Sequence, residues 1–248
     1  MSGGRRMAAV VTGGSRGIGR AVVERLVHDG ATVVFSYTAG ERAAKELCES
    51  LGGRATAVRA DAADLGQVEE LFAAADEMFA AADAGPLRAL VNNAGVIAHA
   101  PIDEVTPQVY DEVMAVNARG AYFTLRAAAR RMADGGRIVN ISTTGTAWPS
   151  LGESVYAASK AALEQVTRVA SRELGPRRIT VNCVSPGATD TDLLRAGAPP
   201  EVLQTVAHMT ALGRLGTPAD IAAVVALLLS PDAGWLTGQN LRADGGLV

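Results

Sequence analysis

The sequence predicts an α/β fold, a doubly wound parallel sheet of about seven strands with helices on both faces. Two observations carry this. Short apolar runs alternate with longer amphipathic ones along the 248 residues, and such βαβα alternation pairs strands in parallel. The apolar runs also have few polar interruptions, as strands buried on both faces require. Strands are expected at 8–11, 32–37, 55–59, 89–91, 137–141, 180–184 and 240–242. Helices are expected at 18–28, 41–50, 65–82, 107–132, 154–174 and 218–229. The stretch 107–132 is too long for one comfortable helix, and Asn117 and Gly120 mark a kink or junction in it. Residues 190–209 break the rhythm with Pro199, Pro200 and several small residues, and an insertion there reads as a lid. No Pro/Ser-rich linker interrupts the alternation, so residues 1–248 read as a single domain.

Composition narrows the function classes. With 48% hydrophobic and 20% charged residues, a sizeable core is expected and disorder is not. A net charge of −3 offers no basic footprint, which argues against nucleic acid as a partner. No apolar run approaches the length of a membrane span, and the N-terminus does not read as a signal peptide. Cys48 and Cys183 lack metal-ligand neighbours at short spacing. Free thiols of this kind suit a reducing compartment, and the cytoplasm is the expected location. His28 and His208 have no partners for a metal site, and no metal is expected. Lysine occurs only at Lys45 and Lys160.

The first strand leads into Thr12-Gly13-Gly14-Ser15-Arg16-Gly17-Ile18-Gly19, which opens a helix. Glycines let the turn tighten and let a phosphate approach the backbone. The helix N-terminus then offers free N–H groups and a favourable dipole. The spacing is G-x-x-x-G-x-G, and its place between strand and helix points to a dinucleotide. The second strand ends Ser36-Tyr37-Thr38, without the acidic residue that would take a ribose 2′-hydroxyl. Arg16 can attract a 2′-phosphate, and Ser36, Tyr37 and Thr38 can hydrogen-bond one. NADP(H) is therefore expected over NAD(H).

Further along come Asn92-Asn93-Ala94-Gly95, Tyr156-x-x-x-Lys160, Pro186-Gly187, Leu236-Thr237-Gly238-Gln239 and Asp244-Gly245-Gly246. With the glycine turn, this ordered set resembles the short-chain dehydrogenase/reductase family, with a flavour similar to its 3-oxoacyl-ACP reductase and tetrahydroxynaphthalene reductase branches. The resemblance covers essentially the whole chain. It implies a Rossmann-like fold and reversible reduction of a ketone to a secondary alcohol by hydride from NADPH. It further implies a small-molecule substrate and a homotetramer built through the long helices.

Independently of the resemblance, Tyr156 and Lys160 lie four residues apart, on one helix face. A free phenol has a pKa of about 10, and a nearby ammonium is expected to lower it. Tyr156 then suits the proton donor that ketone reduction needs, with Lys160 tuning it. The resemblance adds that Lys160 holds the nicotinamide ribose and that Asn117 anchors a water in a proton relay. It places Asn93, Ala94 and Gly95 along the nucleotide cleft and Asp61 and Ala62 by the adenine. It sets Pro186, Gly187, Thr189 and Thr191 against the nicotinamide amide. The family's substrate-binding serine usually lies 13 residues before the tyrosine, and Thr143 occupies that position here, with Ser142 just before it. Adjacent residues at a strand end point oppositely, so one hydroxyl should face the substrate. Thr143 is favoured on spacing and Ser142 stays a rival. By position in the family, Ile97, His99, Trp148, Leu193, Leu194 and Met209 are candidates for the substrate wall. Two other readings remain at this point: an NAD-dependent sugar or sterol dehydrogenase, and a non-catalytic NADP-binding sensor or scaffold.

Overall fold

The computed structural model describes residues 7–248. Seven parallel strands form one sheet in the order β3-β2-β1-β4-β5-β6-β7. They are β1 (Ala8–Val11), β2 (Thr32–Tyr37), β3 (Ala55–Arg59), β4 (Leu87–Asn92), β5 (Arg137–Ile141), β6 (Thr180–Pro186) and β7 (Asn240–Ala243). Alternate residues of each inner strand enter opposite layers. Ala9 and Val11 of β1 face a core with Val33, Phe35, Leu47 and Ile221, whereas Ala8 and Val10 face one with Val34, Phe72, Leu90 and Ile138. Helices α1 (Gly17–His28), α2 (Glu41–Ser50) and α9 (Pro218–Leu229) cover the first layer. Helices α3 (Leu65–Ala81), α5 (Ala121–Arg131) and α6 (Ser154–Glu173) cover the second. This explains the apolar strands: both faces are buried.

The strands fall where the periodicity puts them, with β4, β6 and β7 running slightly longer. The stretch 107–132 divides as the kink residues suggest, into α4 (Pro107–Met114), a π-helical turn (Ala115–Gly120) and α5. The insertion at 190–209 is helical, with α7 (Asp192–Gly197) and α8 (Pro200–Met209). Its sequence hides this because Pro199 and Pro200 read as breakers, whereas they serve as the N-cap and first residue of α8, where a missing N–H costs nothing. No helix among the described residues is long and apolar enough to cross a membrane.

The chain order reverses at β1, which pairs with β2 on one side and β4 on the other. Connections diverge there and leave a crevice beyond the strands' C-terminal ends. Gly120 lets the π turn close over this region. A Cβ on Gly120 would lie 2.2 Å from the Ala62 carbonyl oxygen. Its φ of −61° is ordinary, so the constraint is steric alone. Gly120→Ala should therefore destabilise the fold by about 2 kcal/mol or more, despite a helix-propensity gain of up to about 1 kcal/mol. Urea unfolding tests this, and an unchanged or raised midpoint contradicts it.

Candidate active site

The crevice is stitched by the Thr12 hydroxyl. Its oxygen accepts from the Asn93 and Ala94 backbone N–H groups at 2.9 and 3.0 Å, joining the ends of β1 and β4. Asn93 returns two bonds of 3.0 Å from Nδ2, to the Thr12 and Gly13 carbonyls. The glycine turn folds tightly against this stitch. Gly13 and Gly17 have φ of 66° and 54°, and a Cβ on Gly19 would lie 2.1 Å from the Gly13 oxygen. The first turn of α1 thus reaches the crevice with open N–H groups. The Ser36 hydroxyl, expected at a phosphate, is buried and accepts from Gly13 N at 3.1 Å, so it shapes the turn. Arg16 is exposed and makes no ion pair among the described residues.

A cleft of about 390 Å³ runs along this surface. It collects Gly13, Ser15, Arg16, Gly17, Ile18, Gly19, Ser36, Tyr37, Thr38, Asp61, Ala62, Asn93, Ala94, Gly95 and Thr191. The sequence reading did not find Glu112, Ala115 and Val116, which reach the cleft only because α4 and the π turn fold back over it. Pro186, Gly187 and Thr189 do not line it. The Pro186 carbonyl accepts from Thr144 Oγ1, Gly187 N bonds Ala243 O, and Thr189 Oγ1 bonds Gly187 O. A Cβ on Gly17 would sit 3.4 Å from Thr191 Cγ2, so the start of α7 closes against the glycine turn.

Beside the cleft, α6 grips the end of β5 through a buried polar stripe. Asn140 Nδ2 donates to Thr167 Oγ1 at 2.8 Å. Lys160 Nζ donates to the Ile141 carbonyl at 2.9 Å, and Ser142 Oγ donates to Glu164 Oε1 at 2.7 Å. Three consecutive residues of β5 and the turn after it are thereby fixed by successive turns of one helix. The next residue, Thr143, turns the other way. Its hydroxyl accepts from Gly145 N at 3.1 Å and favours the ionised form of the nearby Tyr156 phenol. The alternation that left two candidates in the sequence separates them here: Ser142 faces the helix, and Thr143 faces Tyr156.

Electrostatics modify the expected tuning. Lys160 is 3% exposed, and burial pulls its pKa down to about 8. Burial first, then the Glu153 carboxylate, pushes Tyr156 up to about 12, with the Thr143 hydroxyl opposing. Lys160 Nζ lies 5.9 Å from the Tyr156 ring centre and is committed to the Ile141 carbonyl. The upward shift, set chiefly by burial, runs opposite to the depression by Lys160 that the sequence suggests. Asn117 has a structural role. It is 0% exposed, accepts from Val96 N at 2.9 Å, and spends both amide hydrogens on Val96 O and Ser159 Oγ. Its side chain latches the π turn to the loop after β4.

Comparisons with known proteins fit this geometry. A family model described as enoyl-(acyl carrier protein) reductase matches residues 13–248. A short-chain type dehydrogenase/reductase from Picea abies is 38% identical over 259 residues, covering 99% of this chain and 93% of that one. The chain belongs to the short-chain dehydrogenase/reductase family. It is an oxidoreductase. Among solved structures of the family, the angucycline C-6 ketoreductase LanV with bound NADP is 44% identical, with a TM-score of 0.90 over 97% of this chain and 95% of that one. A blue fluorescent protein from a metagenomic library, in complex with NADPH, is 40% identical, with a TM-score of 0.89 over 98% of each chain.

Within this dehydrogenase/reductase, the six residues assigned to a substrate wall separate. Leu193 reaches the nucleotide cleft. Trp148 and Met209 are about half exposed, Ile97 and Leu194 are partly buried, and His99 stands against Gly197 of α7. Cys183 is buried with its thiol pushed up to about 12, chiefly by burial, and Cys48 is partly buried. Glu164 went unnoticed in the sequence, where a glutamate in a helix reads as solvated. It is 8% exposed and, besides Ser142, lies 2.7 Å from Thr146 Oγ1. That hydroxyl is also 3.0 Å from Thr143 O and has one proton to give, so it bridges Glu164 to the Thr143 turn. Glu164→Ala should cost about 2–4 kcal/mol, since it leaves two hydroxyls short of a charged acceptor. Urea unfolding reads this, and a loss below about 0.5 kcal/mol would contradict it.

Proposed function

We propose that this oxidoreductase uses NADP(H) to reduce a ketone to a secondary alcohol, with Tyr156 as proton donor and Thr143 as second hydrogen-bond donor to the carbonyl. The observation that carries the reading is the placing of Tyr156, with the Thr143 hydroxyl near enough to act on its phenol, beside a dinucleotide cleft. The cleft fits the cofactor: its glycine turn has no room for side chains at Gly19, and its N–H groups suit a pyrophosphate. The end of β2 carries Tyr37 and Thr38 in place of a carboxylate, and exposed Arg16 suits a 2′-phosphate. LanV with NADP and the NADPH-bound relative support the same cofactor.

Bound NADPH would supply the hydride. Tyr156, held protonated through neutral pH by its raised pKa, gives its proton to the carbonyl oxygen as charge develops there. Thr143 donates to the same oxygen and is pre-set by the turn that Glu164 anchors. Lys160 Nζ stands against Gly95 of the cleft wall, which supports a role in holding the ribose hydroxyls. Helices α7 and α8 form a lid whose first residues meet the glycine turn. A homotetramer and a cytoplasmic location complete the reading. Exposed Tyr122 and Val169 on α5 and α6 support helix-mediated assembly.

The test is NADPH oxidation against acetoacetyl thioesters and bicyclic aromatic ketones, with NADH in parallel. Turnover is expected with NADPH, and weaker turnover with NADH. Tyr156→Phe should lower kcat by about 10²- to 10⁴-fold with NADPH binding nearly unchanged. Substantial residual activity would remove Tyr156 from the mechanism, and a preference for NADH would overturn the Arg16 argument.

A further inference from the structure

One carboxylate beside Tyr156 enters the chemistry above only through its charge, which raises the phenol. Glu153 is the residue before α6, three positions ahead of Tyr156. Its side chain is 18% exposed. No hydrogen bond reaches its carboxylate from the described residues, and it caps no backbone N–H of α6. The nearest cation-forming group, His99 Nδ1, lies 3.8 Å away, beyond hydrogen-bond range. A carboxylate on a mostly covered side chain, with no protein donor, gains from a ligand that brings one. The helix dipole of α6 eases the charge but supplies no bond here.

The surroundings say where the missing donor sits. A Cβ built on Gly145 would lie 3.4 Å from Thr143 Oγ1 and 3.5 Å from Glu153 Oε2. The carbonyl-binding hydroxyl and the free carboxylate thus flank one small gap, which a Cβ at position 145 would occupy. A Cβ on Gly197 of α7 would lie 3.2 Å from His99 Nε2, so α7 closes the far side. Tyr156 feels the Glu153 charge directly. Thr143, the residue assigned to the carbonyl, borders this gap, so the gap adjoins a ketone held by Thr143 and Tyr156.

We propose that Glu153 is a specificity residue that accepts a hydrogen bond from a hydroxyl carried by the ketone substrate a few bonds from its carbonyl. The inference rests on the ketone-reductase reading and narrows it. A hydroxyl donor satisfies the carboxylate at the moment Thr143 and Tyr156 take the carbonyl. A substrate presenting its own carboxylate there is repelled. Hydroxyketones, phenolic ones included, are therefore the substrate class, and short keto acids are disfavoured.

The experiment compares 1-tetralone with the series of its ring-hydroxylated isomers, using NADPH and the full-length protein. In the native enzyme at least one hydroxylated isomer should exceed the parent in kcat/KM by about 10- to 100-fold, the worth of a hydrogen bond to a charged acceptor. In Glu153→Ala that advantage should collapse to about twofold or less, while the parent ketone is still reduced. Taking the ratio of two substrates cancels any change in Tyr156 acidity. If Glu153→Ala loses the parent too, the isosteric Glu153→Gln decides: its neutral oxygen should cut the advantage by about fivefold or more. Equal use of parent and hydroxylated ketones, or an advantage that survives both variants, overturns the inference and leaves the reductase reading standing. No turnover of any ketone by the native enzyme overturns both.

Discussion

The site depends on a buried ammonium bonded to a strand-end carbonyl. Lys160 is almost fully enclosed, and its bond to the Ile141 carbonyl ties the middle of α6 to the last residue of β5. An ammonium taken out of water needs such an acceptor, and even so burial pulls its pKa down. The same amine stands against Gly95, where a Cβ would come within 3.2 Å of Nζ. One charge therefore touches the end of β4, the end of β5 and the helix that carries Tyr156. The bonds on either side, Thr167 to Asn140 and Glu164 to Ser142, extend the grip by one residue each way. With β5 held at three successive residues, Thr143 has little freedom in where its hydroxyl points.

This arrangement makes Tyr156 an acid before it makes it a base. Burial and Glu153 both favour the neutral phenol, while Lys160 gives one of its three N–H donors to a backbone carbonyl. A neutral phenol beside a second hydroxyl suits carbonyl reduction, in which a proton must be delivered. Glu153 thereby has two consequences from one charge. It keeps the phenol protonated, and it leaves an unmet acceptor where a substrate hydroxyl can bind.

Much of the fold was legible because periodicity and glycine placement are local signals. Uniformly apolar runs mark doubly buried strands such as β1 and β6, and the turn at 12–19 needs its glycines for reasons visible in the chain. The spacing of Tyr156 and Lys160 set them on one helix face, and Asn117 with Gly120 marked the break that became a π turn. What stayed hidden depends on the third dimension. Glu164 looks solvated until β5 is laid against α6. Asn117 looks free until the loop at Val96 folds onto it. Whether Ser142 or Thr143 faces Tyr156 depends on how β5 is oriented against α6, which spacing alone left open. The direction of the Tyr156 shift needed burial, which no motif carries.

Having only two lysines makes the central claim directly measurable. In protein labelled with ¹³Cε-lysine, two resonances report Lys45 and Lys160, and Lys160→Met assigns them. Lys45, exposed and paired with Glu41 at 2.6 Å, should titrate above the ordinary lysine value. Lys160 should titrate near pH 8, its charge disfavoured by burial. Two resonances that both titrate at or above the ordinary value of about 10.4 would contradict the account. They would mean that the amine stands in water and that α6 and β5 are not joined through it.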